Sequence, residues 1–490
     1  MRRSGLVLLL LAGQVPRALA QPEAVTPSVI DLPRPSGIEW FGLYLMGKKA
    51  GYSSSELTLE TRGGERVFVS RADSSVTATI AGATVTRSQK DEKTYEAKKG
   101  GRLLTFRSER KGDGGDRGVE GHCTPNGCTA VLTAEGKSEE RAIPPVGETV
   151  EQADPARLAA AQKGVVLGEQ LDLETLRVKK MEDRYVGQGH LAAGGVEAEV
   201  ALVEEEEVGD RQPARVAIAK DDRVLEMSLG DAVVARAESE ETAKRIDAID
   251  LFGLTRVKLP SELPRSVPER IVYKLTGLPP AFQVTDSRQS FARGQDGTVA
   301  LTVTAHRPRA ADPAHDAPRE QGVPPGMEEL LAPTPEVDSD APAIARLARE
   351  VVGNSHGVFA ASTKLVHFVY RRLEKVYGVS RDRATEVLAL GKGDCTEHAL
   401  LFTALARAAG VPARQVHGLV YARYGDGVPA LYWHAWAEVK SGGEWIAVDP
   451  TFDQPVADAT HLELGHGSQV DTVALLGALK VVSAEAHPLL

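Results

Sequence analysis

The amino-acid sequence predicts a multidomain α+β protein in which an antiparallel β region precedes a domain of helices followed by a sheet. Short apolar segments that alternate with polar residues and end at glycine turns fill residues 37–240, whereas helix-period patterns followed by strand patterns fill residues 341–486. Alternation is typical of strands, and apolar spacing of three to four residues is typical of helices. Segregated strands and helices favour the α+β class. The 490 residues suggest about three domains.

Residues 1–20 have the pattern of a secretory signal peptide. Arg2 and Arg3 supply positive charge, an apolar run covers Leu6–Ala12, and Ala18-Leu19-Ala20 forms a small-residue cleavage site. The apolar run is too short to cross a bilayer, and the sequence has no later stretch of about 18 apolar residues. We therefore expect a protein without a membrane span that is periplasmic or secreted after cleavage near Ala20.

The overall charge argues against nucleic acid as a partner. Asp and Glu number 68 against 58 Lys and Arg, which gives a net charge of -10. No basic block interrupts this acidic background, and a basic patch is the usual footprint of a nucleic-acid-binding protein. We interpret the acidic run Glu204–Glu207 as a solvated strand end or loop rather than as a binding patch.

The region 37–240 is predicted to form one long curved antiparallel sheet, similar to a half-barrel. Apolar residues alternate with threonines over Val76–Ile80, as expected of a strand. Two-residue turn signals each precede an apolar run, at Gly100-Gly101, Gly194-Gly195 and Asp221-Asp222. One helix is predicted within this region, over Pro155–Gln162.

Three cysteines in an exported chain leave one thiol unpaired. Cys123 and Cys128 flank Thr-Pro-Asn-Gly, a turn-forming tetrad that can bring the two sulfurs together. A disulfide there would close a loop of about six residues and contribute about 2 kcal/mol. The alternative is half of a metal site, although no second Cys/His pair lies nearby. Cys395 is then the odd thiol, which is either buried packing or chemically useful.

Two regions separate the β region from the C-terminal domain. Residues 241–306 are predicted to form a small β-rich module that contains several prolines. Residues 307–340 are rich in proline and charge and lack periodicity, so we interpret them as a linker. A recognition strip for a proline-binding partner is the alternative, but no PxxP repeat stands out.

The C-terminal domain, residues 341–486, begins with three predicted helices. Asp340 is placed to cap a helix that runs through Val352, and an amphipathic pattern over Leu365–Val376 predicts the second. The third begins at Cys395 and stops at Gly410, which Pro412 follows. Three strands are predicted after it, over Gln415–Tyr421, Leu431–Val439 and Glu444–Val448.

Cys395 is placed at the first position of its predicted helix. Asp394 is a good N-cap residue, and Glu397 is placed to complete a capping box. The free N–H groups and partial positive charge of a helix start favour a thiolate and could stabilise an oxyanion. The carboxylates of Asp394 and Glu397 raise the pKa of a nearby thiol. A cationic His434 is therefore needed to favour the thiolate.

The predicted hairpin brings His434 and Asp449 together. With Gly442-Gly443 as a two-residue loop, Ser441 pairs with Glu444, and Asp449 then lies diagonal to His434 on the same face of the sheet, within side-chain reach. A thiol, an imidazole and a carboxylate supply a nucleophile, its base and an orienter of the base. The alternative is that all three are packing or turn residues.

The remaining histidines and tryptophans have less specific signals. We expect His398 to be a packed or exposed helix residue, with a metal site formed with Cys395 and His434 as the alternative. His417 and His461 are assigned to strand packing or to the surface. Trp433 and Trp436 are expected in the core or the cleft wall, where one of them could cover the thiol or contact the oxyanion.

These residues resemble the transglutaminase-like superfamily, which has a papain-like fold. The matching segments are Ala384–Leu388, Gly391–Ala399, Leu405–Arg414, His434–Glu438 and Trp445–Thr451. The resemblance covers about residues 342–482. The region before it is similar, with low specificity, to curved β half-barrels that precede such domains in exported bacterial proteins.

The resemblance implies that Cys395 is the nucleophile, His434 the general base and later acid, and Asp449 the orienting carboxylate. Gln454 matches a polar residue that is frequent at this place in the family. The family's animal enzymes often have an aromatic residue after the cysteine, whereas this chain has Thr396, which argues against cross-linking. Hydrolysis is favoured over transfer because the sequence has no visible amine-binding signal. No oxygen-rich calcium loop is evident, and we expect no cofactor and no metal.

Two classes of function follow from the sequence. The first is a cysteine peptidase, amidase or acyltransferase that acts on a peptide or protein through a thioester on Cys395. The second is a binding or assembly scaffold that keeps the fold without catalysis.

Overall fold

The computed structural model describes residues 27–487, apart from short gaps at 34, 36, 81, 113–114, 135, 194–195, 210–211, 265–267, 295, 306–316, 320–324, 379–380, 382, 425 and 467–474. The predicted signal peptide lies outside the described residues. No helix in the described part of the chain has the length and apolar character needed to cross a bilayer.

The N-terminal half forms one large antiparallel sheet, as predicted. Its main strands are β1 (Glu39–Leu45), β2 (Lys48–Arg62), β3 (Glu65–Ile80), β4 (Ala83–Glu96), β5 (Leu103–Gly112), β6 (Arg117–Thr124), β7 (Gly127–Ala134), β8 (Lys137–Ile143), β9 (Val165–Leu171), β10 (Val178–Ala193), β11 (Val196–Glu207), β12 (Ala214–Ala219), β13 (Val224–Leu229) and β14 (Val233–Glu238). The order across the sheet is β8 to β1 and then β14 to β9. A parallel strand, β15 (Ile249–Asp250), pairs with β3. The helix predicted within this region is present as α1 (Pro155–Gln162).

The sheet curls so that its two ends share a core. Ile143 of β8 and Leu171 of β9 are buried in one hydrophobic cluster although β8 and β9 are the two edge strands. Leu158 of α1 packs with Phe41 and Val203 of the sheet in a second cluster. The helix therefore fills the inside of the curved sheet and buries apolar surface that one open sheet would expose.

The predicted disulfide joins two neighbouring strands of this sheet. Cys123 of β6 lies opposite Cys128 of β7, and the two sulfurs are bonded at 2.05 Å. Cys395 is the free thiol. The acidic run Glu204–Glu207 forms the end of β11, as predicted, but it is only partly solvated, and burial raises the pKa of Glu205.

The C-terminal domain contains four helices and an antiparallel sheet. Two short helices precede it, α2 (Glu240–Ala243) and α3 (Leu251–Thr255). The domain's helices are α4 (Pro342–Val352), α5 (Val358–Arg372), α6 (Ala384–Leu390) and α7 (Cys395–Ala408). Its sheet contains β21 (Ala413–Tyr424), β22 (Val428–Ser441), β23 (Glu444–Val448) and β24 (His461–His466) in the order β23-β22-β21-β24. Two short strands, β19 (Glu374–Lys375) and β20 (Lys392–Gly393), pair in parallel just before α7.

Two details of the helix predictions are wrong. Ala341, and not Asp340, occupies the N-cap of α4, and Pro342 takes the first helical position, where its fixed φ and missing N–H cost nothing. Helix α5 ends at Arg372, so Val376 lies beyond it. Helix α6 and strand β24 add elements that the periodicity did not predict.

A third sheet links the small β-rich region to the end of the chain. Its strands are β16 (Arg270–Thr276), β17 (Gln289–Arg293), β18 (Val299–Thr304) and β25 (Lys480–His487), in the order β17-β18-β16-β25. Leu275 and Leu301 of this sheet share a core cluster with Leu431 and Leu462 of the C-terminal domain. The region predicted as a separate module is thus packed on that domain.

The N-terminal sheet also contacts the C-terminal domain near the start of α7. Arg117 of β6 bonds Glu386 of α6 at 2.8 Å, and Val85 of β4 lies so close to Gly378 that a Cβ there would be 2.4 Å from it. The predicted linker is described only in part. Its last residues are ordered against the domain, because Val337 joins the main core and Asp338 accepts a hydrogen bond from Thr385.

Candidate active site

Cys395 is the first residue of α7, as predicted. Asp394 caps the helix by accepting from the Thr396 N–H at 2.9 Å, and Glu397 completes the capping box by accepting from the Asp394 N–H at 2.9 Å. The Asp394 side chain also accepts from the Glu397 N–H. Asp394 therefore occupies two backbone N–H groups of this first turn and leaves that of Cys395 for an oxyanion. The sequence suggested that several N–H groups would be available.

The surroundings of the Cys395 thiol, whose surface is partly exposed, favour its protonated form. Burial raises its pKa well above the ordinary value, the charge of Asp394 adds to this, and the backbone N–H of Ala435 opposes it. Burial and Asp394 also raise the pKa of Glu397 to about 8, which favours its neutral form. The contact with Ala435 places the sulfur beside the strand that carries His434.

His434 and Asp449 are brought together by the hairpin register that the sequence predicts. Ser441 lies opposite Glu444, and His434 Nε2 donates to Asp449 Oδ2 at 2.8 Å. Both side chains are buried, with 1% and 0% of their surface exposed. Because Nε2 carries the proton, Nδ1 of a neutral His434 is the basic nitrogen.

Asp449 is held by four hydrogen bonds. Its Oδ1 accepts from the N–H groups of Thr451 at 2.6 Å and Phe452 at 3.2 Å, and its Oδ2 accepts from His434 and from His461, the latter at 3.0 Å. Burial opposes ionisation, but the two imidazoles hold the pKa of Asp449 well below its usual range. The carboxylate is thus ionised and fixed in orientation.

Two aromatic rings enclose the His434 imidazole. Phe452 stacks on it with ring centroids 5.0 Å apart, and Trp436 stacks with centroids 6.1 Å apart. This packing fixes the plane of the imidazole. Phe452 was not identified from the sequence, since its place depends on the turn that follows Asp449.

A cluster of aromatic residues lies near the thiol. Phe252 of α3 contacts Tyr377, Tyr424 and Tyr432 with ring centroids 5.3, 4.9 and 5.6 Å apart. Burial and the nearby Cys395 raise the pKa of Tyr377 to about 12. Because α3 follows the strand that pairs with β3, Phe252 is a point at which the N-terminal sheet reaches the neighbourhood of the thiol.

Three other residues singled out in the sequence keep their side chains outside the contacts of Asp449, although the Gln454 backbone pairs with that of Asp449 through hydrogen bonds of 2.8 and 2.9 Å. The Trp433 side chain projects from the face of β22 opposite to His434, and its Nε1 donates to the Thr255 carbonyl at 2.9 Å. The Gln454 side chain bonds Asp458 at 3.1 Å. His398 is buried, its Nδ1 donates to the Asp394 carbonyl at 2.6 Å, and burial lowers its pKa.

His461 is the site residue that the sequence interpretation missed. Of the two predicted places, strand packing is confirmed, because His461 is fully buried in β24, but the hydrogen bond through which it shares Asp449 with His434 was not predicted. A strand pattern in which His461 and Glu463 alternate with Leu462 and Leu464 was the available signal, but it does not distinguish a solvated polar face from a buried one.

Two groups of described residues bring three ligand-type atoms within 4.8 Å of one another: His434, Asp449 and His461, and Asp286, Glu438 and Glu463. In the first group, the two imidazole–carboxylate hydrogen bonds account for the short distances. In the second, Arg414 bonds Glu438 at 2.7 Å. The trio Cys395, His398 and His434, which was the metal alternative, is not among such groups in the described residues.

Part of the C-terminal domain matches a known protein family. Residues 345–450 match the transglutaminase-like superfamily. The comparison with curated proteins gives no match.

Three solved structures are similar to parts of the chain. A candidate cysteine protease from Cytophaga hutchinsonii is 18% identical over 45% of this chain and 83% of its own, with a TM-score of 0.29. A β-barrel-like protein of a domain of unknown function from Brucella abortus is 12% identical over 41% of this chain and 94% of its own, with a TM-score of 0.29. The periplasmic domain of TgpA from Pseudomonas aeruginosa is 18% identical over 39% of this chain and 89% of its own, with a TM-score of 0.23.

The family match spans the helix that starts at Cys395, the strand that carries His434 and the turn at Asp449. The chain therefore contains a transglutaminase-like domain in its C-terminal part.

Proposed function

We propose that the protein is an exported enzyme that cleaves or transfers amide or peptide acyl groups through a thioester on Cys395, with hydrolysis favoured over cross-linking. The observation that carries the proposal is the buried 2.8 Å hydrogen bond from His434 Nε2 to Asp449 Oδ2 beside a thiol at a helix start. A helix that carries the thiol and packs against a sheet that carries the base is also compatible with a papain-like arrangement.

The proposed first step forms the thioester. His434 Nδ1 takes the Cys395 Sγ proton while Sγ attacks the carbonyl carbon, and the carbonyl oxygen takes up the negative charge. The tetrahedral intermediate collapses as the C–N bond breaks, and His434 returns the proton to the leaving amine. The Asp449 carboxylate stabilises the imidazolium that forms between these two transfers.

The second step releases the acyl group. A water molecule attacks the thioester carbon and gives a proton to His434 Nδ1, the C–S bond breaks, and the proton returns to Sγ. An amine in place of water would give acyl transfer. A disulfide in the N-terminal sheet is typical of proteins in an oxidising compartment, which supports export.

Substitution of the nucleophile tests the proposal. Wild-type protein incubated with unfolded casein should produce new α-amino groups if it hydrolyses peptides, or incorporate a fluorescent primary amine if it transfers acyl groups, and Cys395→Ala should do neither. Alkylation by iodoacetamide between pH 5 and 11 gives a second measure that needs no substrate. The alkylation rate plotted against pH should rise in two steps, one for each proton that the Cys395–His434 pair loses. The step at lower pH should be lost in His434→Ala.

The second candidate function is a non-catalytic scaffold. It draws support from the protonated thiol and from the contacts that the N-terminal sheet makes beside α6 and Gly378. A deletion strain of the source organism separates the candidates, because Cys395→Ala complements the deletion only if catalysis is dispensable. Full complementation together with a single-step alkylation profile would contradict the enzyme proposal.

A further inference from the structure

Asp449 is shared by two histidines. His434 Nε2 and His461 Nε2 both donate to the same carboxylate oxygen, at 2.8 and 3.0 Å. The two rings lie with their centroids 5.8 Å apart. A carboxylate needs only one imidazole to orient a catalytic base. The presence of the second imidazole therefore needs its own explanation.

His461 is itself fixed on its far side. Its Nδ1 donates to Asp458 Oδ1 at 3.3 Å, and Asp458 is anchored by Gln454 Nε2 at 3.1 Å and by the Thr460 N–H at 2.9 Å. The ring of His461 is completely buried. Its position is therefore determined at both nitrogens.

Both nitrogens of His461 donate to carboxylates, which makes the ring an imidazolium. Burial alone would lower the pKa of His461, but the hydrogen bonds to Asp449 and Asp458 raise it above the ordinary range. The rings of Trp436 and Phe452 also face it, with centroids 5.4 and 6.4 Å away. Of the other charged or titratable groups, His434 lies beside its ring, and Arg288 Nη2 donates to its backbone carbonyl at 2.5 Å. A buried positive charge thus lies beside Asp449 Oδ2, with its ring centroid 5.8 Å from that of His434.

We propose that His461 is a positioning residue of the site, which holds the Asp449 carboxylate toward His434 and places a positive charge beside it. This inference rests on the proposed function, since His461 acts on the thiol only through Asp449 and His434. Gly418 makes the arrangement sterically feasible. It lies opposite His434, and a Cβ there would be 1.9 Å from the Leu462 carbonyl oxygen, so only glycine lets β24 come this close.

The positive charge has a defined effect on the proton shared by Cys395 and His434. A positive charge opposes the addition of a proton to the pair and favours the loss of one, wherever the shared proton resides. Both steps of the pH profile of Cys395 reactivity therefore lie at lower pH than they would without His461. A unit charge 5.8 Å away, at an effective dielectric constant of about 20, corresponds to about two pH units.

The variant His461→Gln tests this inference, because glutamine keeps an N–H donor and loses the charge. We expect both steps of the iodoacetamide profile to move up by at least about one pH unit. His466→Gln, on the same strand with its side chain 44% exposed, is the matched control and should leave the profile unchanged. A merely structural role would lower the amount of folded protein without moving either step.

A second variant keeps the test decisive if His461→Gln does not fold. Asp458→Asn leaves His461 in place and removes one of the two carboxylates that keep it charged, so both steps should move up by a smaller amount. Unmoved steps in a folded His461→Gln or Asp458→Asn protein would overturn the inference. One equivalent of metal that elemental analysis finds in wild type and not in His461→Gln would also overturn it, since His461 would then be a ligand.

The outcomes separate this inference from the proposed function. If the alkylation rate of wild-type protein lacks the two steps, the proposed function fails, and the positioning role of His461 fails with it. If wild type shows two steps that His434→Ala changes and His461→Gln does not, the function stands and the positioning role fails.

Discussion

The substitution Asp449→Asn removes one negative charge from the site and leaves the side-chain volume almost unchanged. In the native protein one carboxylate oxygen accepts from His434 and His461, and the other accepts from the backbone N–H groups of Thr451 and Phe452. Asparagine offers one oxygen and one NH₂ group. One of these two pairs of donors must therefore face an amide N–H group.

The backbone donors cannot change, so the asparagine oxygen should stay with them and the NH₂ group should face the imidazoles. His434 would then turn an unprotonated Nε2 to the amide and carry its proton on Nδ1, where it can no longer accept the thiol proton. A wrong tautomer of this kind lowers turnover by about 10⁴-fold in a comparable triad. The loss of two hydrogen bonds to a buried carboxylate should also lower the unfolding free energy by about 3–5 kcal/mol.

Two measurements check this prediction, namely the initial rate of casein turnover and the urea unfolding free energy at pH 7. Asp453→Asn is the matched control, since Asp453 lies in the same turn and bonds His367 at 2.6 Å with both side chains about one-third exposed. It should change the rate by less than about threefold and the stability by less than about 1 kcal/mol. Asp449→Asn that keeps more than a tenth of the wild-type rate would refute the tautomer argument.

The pH dependence of stability gives an independent check. Because the folded protein holds the pKa of Asp449 below its unfolded value of about 3.9, its ionisation stabilises the fold above that pH, and this contribution is lost as the pH falls. The difference in unfolding free energy between wild type and Asp449→Asn should thus shrink below about pH 4. A difference that stays constant down to pH 2.5 would contradict the assignment.

Three further predictions concern the surroundings of the site. Gly418→Ala should destabilise the domain by about 3 kcal/mol or more in urea unfolding, since the new Cβ would overlap the Leu462 carbonyl; wild-type stability would contradict this. Phe252→Ala should raise the rate at which a bulky maleimide labels Cys395 relative to iodoacetamide, and an unchanged ratio would show that Phe252 does not limit access. Burial and a neighbouring aspartate raise the pKa of Glu397 to about 8. The unfolding free energy of the wild type should therefore fall between about pH 4.5 and 8 relative to that of Glu397→Gln. Unfolding free energies that change in parallel with pH in the two proteins would contradict this.

The parts of the site that the sequence predicts depend on short-range rules. The capping box at Cys395 involves residues within three positions of one another, and the register of the β22–β23 hairpin follows from a two-residue loop. These rules place Cys395 at a helix start and bring Asp449 to His434 without knowledge of the rest of the fold. The transglutaminase-like match covers the same segments.

The parts that the sequence does not predict depend on long-range pairing. Strand β24 pairs with β21 more than 40 positions earlier, and nothing local indicates that both of its faces are buried. An alternating polar face is usually a solvated face, so the local pattern gives no reason to expect that His461 bonds a buried carboxylate. Phe252 is similar, because its contact with the tyrosines depends on the pairing of β15 with β3.

The surroundings of Cys395 have opposing effects on the ionisation of its thiol. A helix start favours a thiolate, but desolvation and Asp394 outweigh this and keep the thiol protonated. In the proposed reaction, nucleophilic attack must therefore coincide with proton transfer to His434, which would depend on the orientation set by Asp449. Since the thiolate is the form that oxidants attack, a raised pKa would slow the oxidation of this unpaired and partly exposed thiol in an oxidising compartment. On this view, substrate binding beside His434 is the event that makes Cys395 reactive.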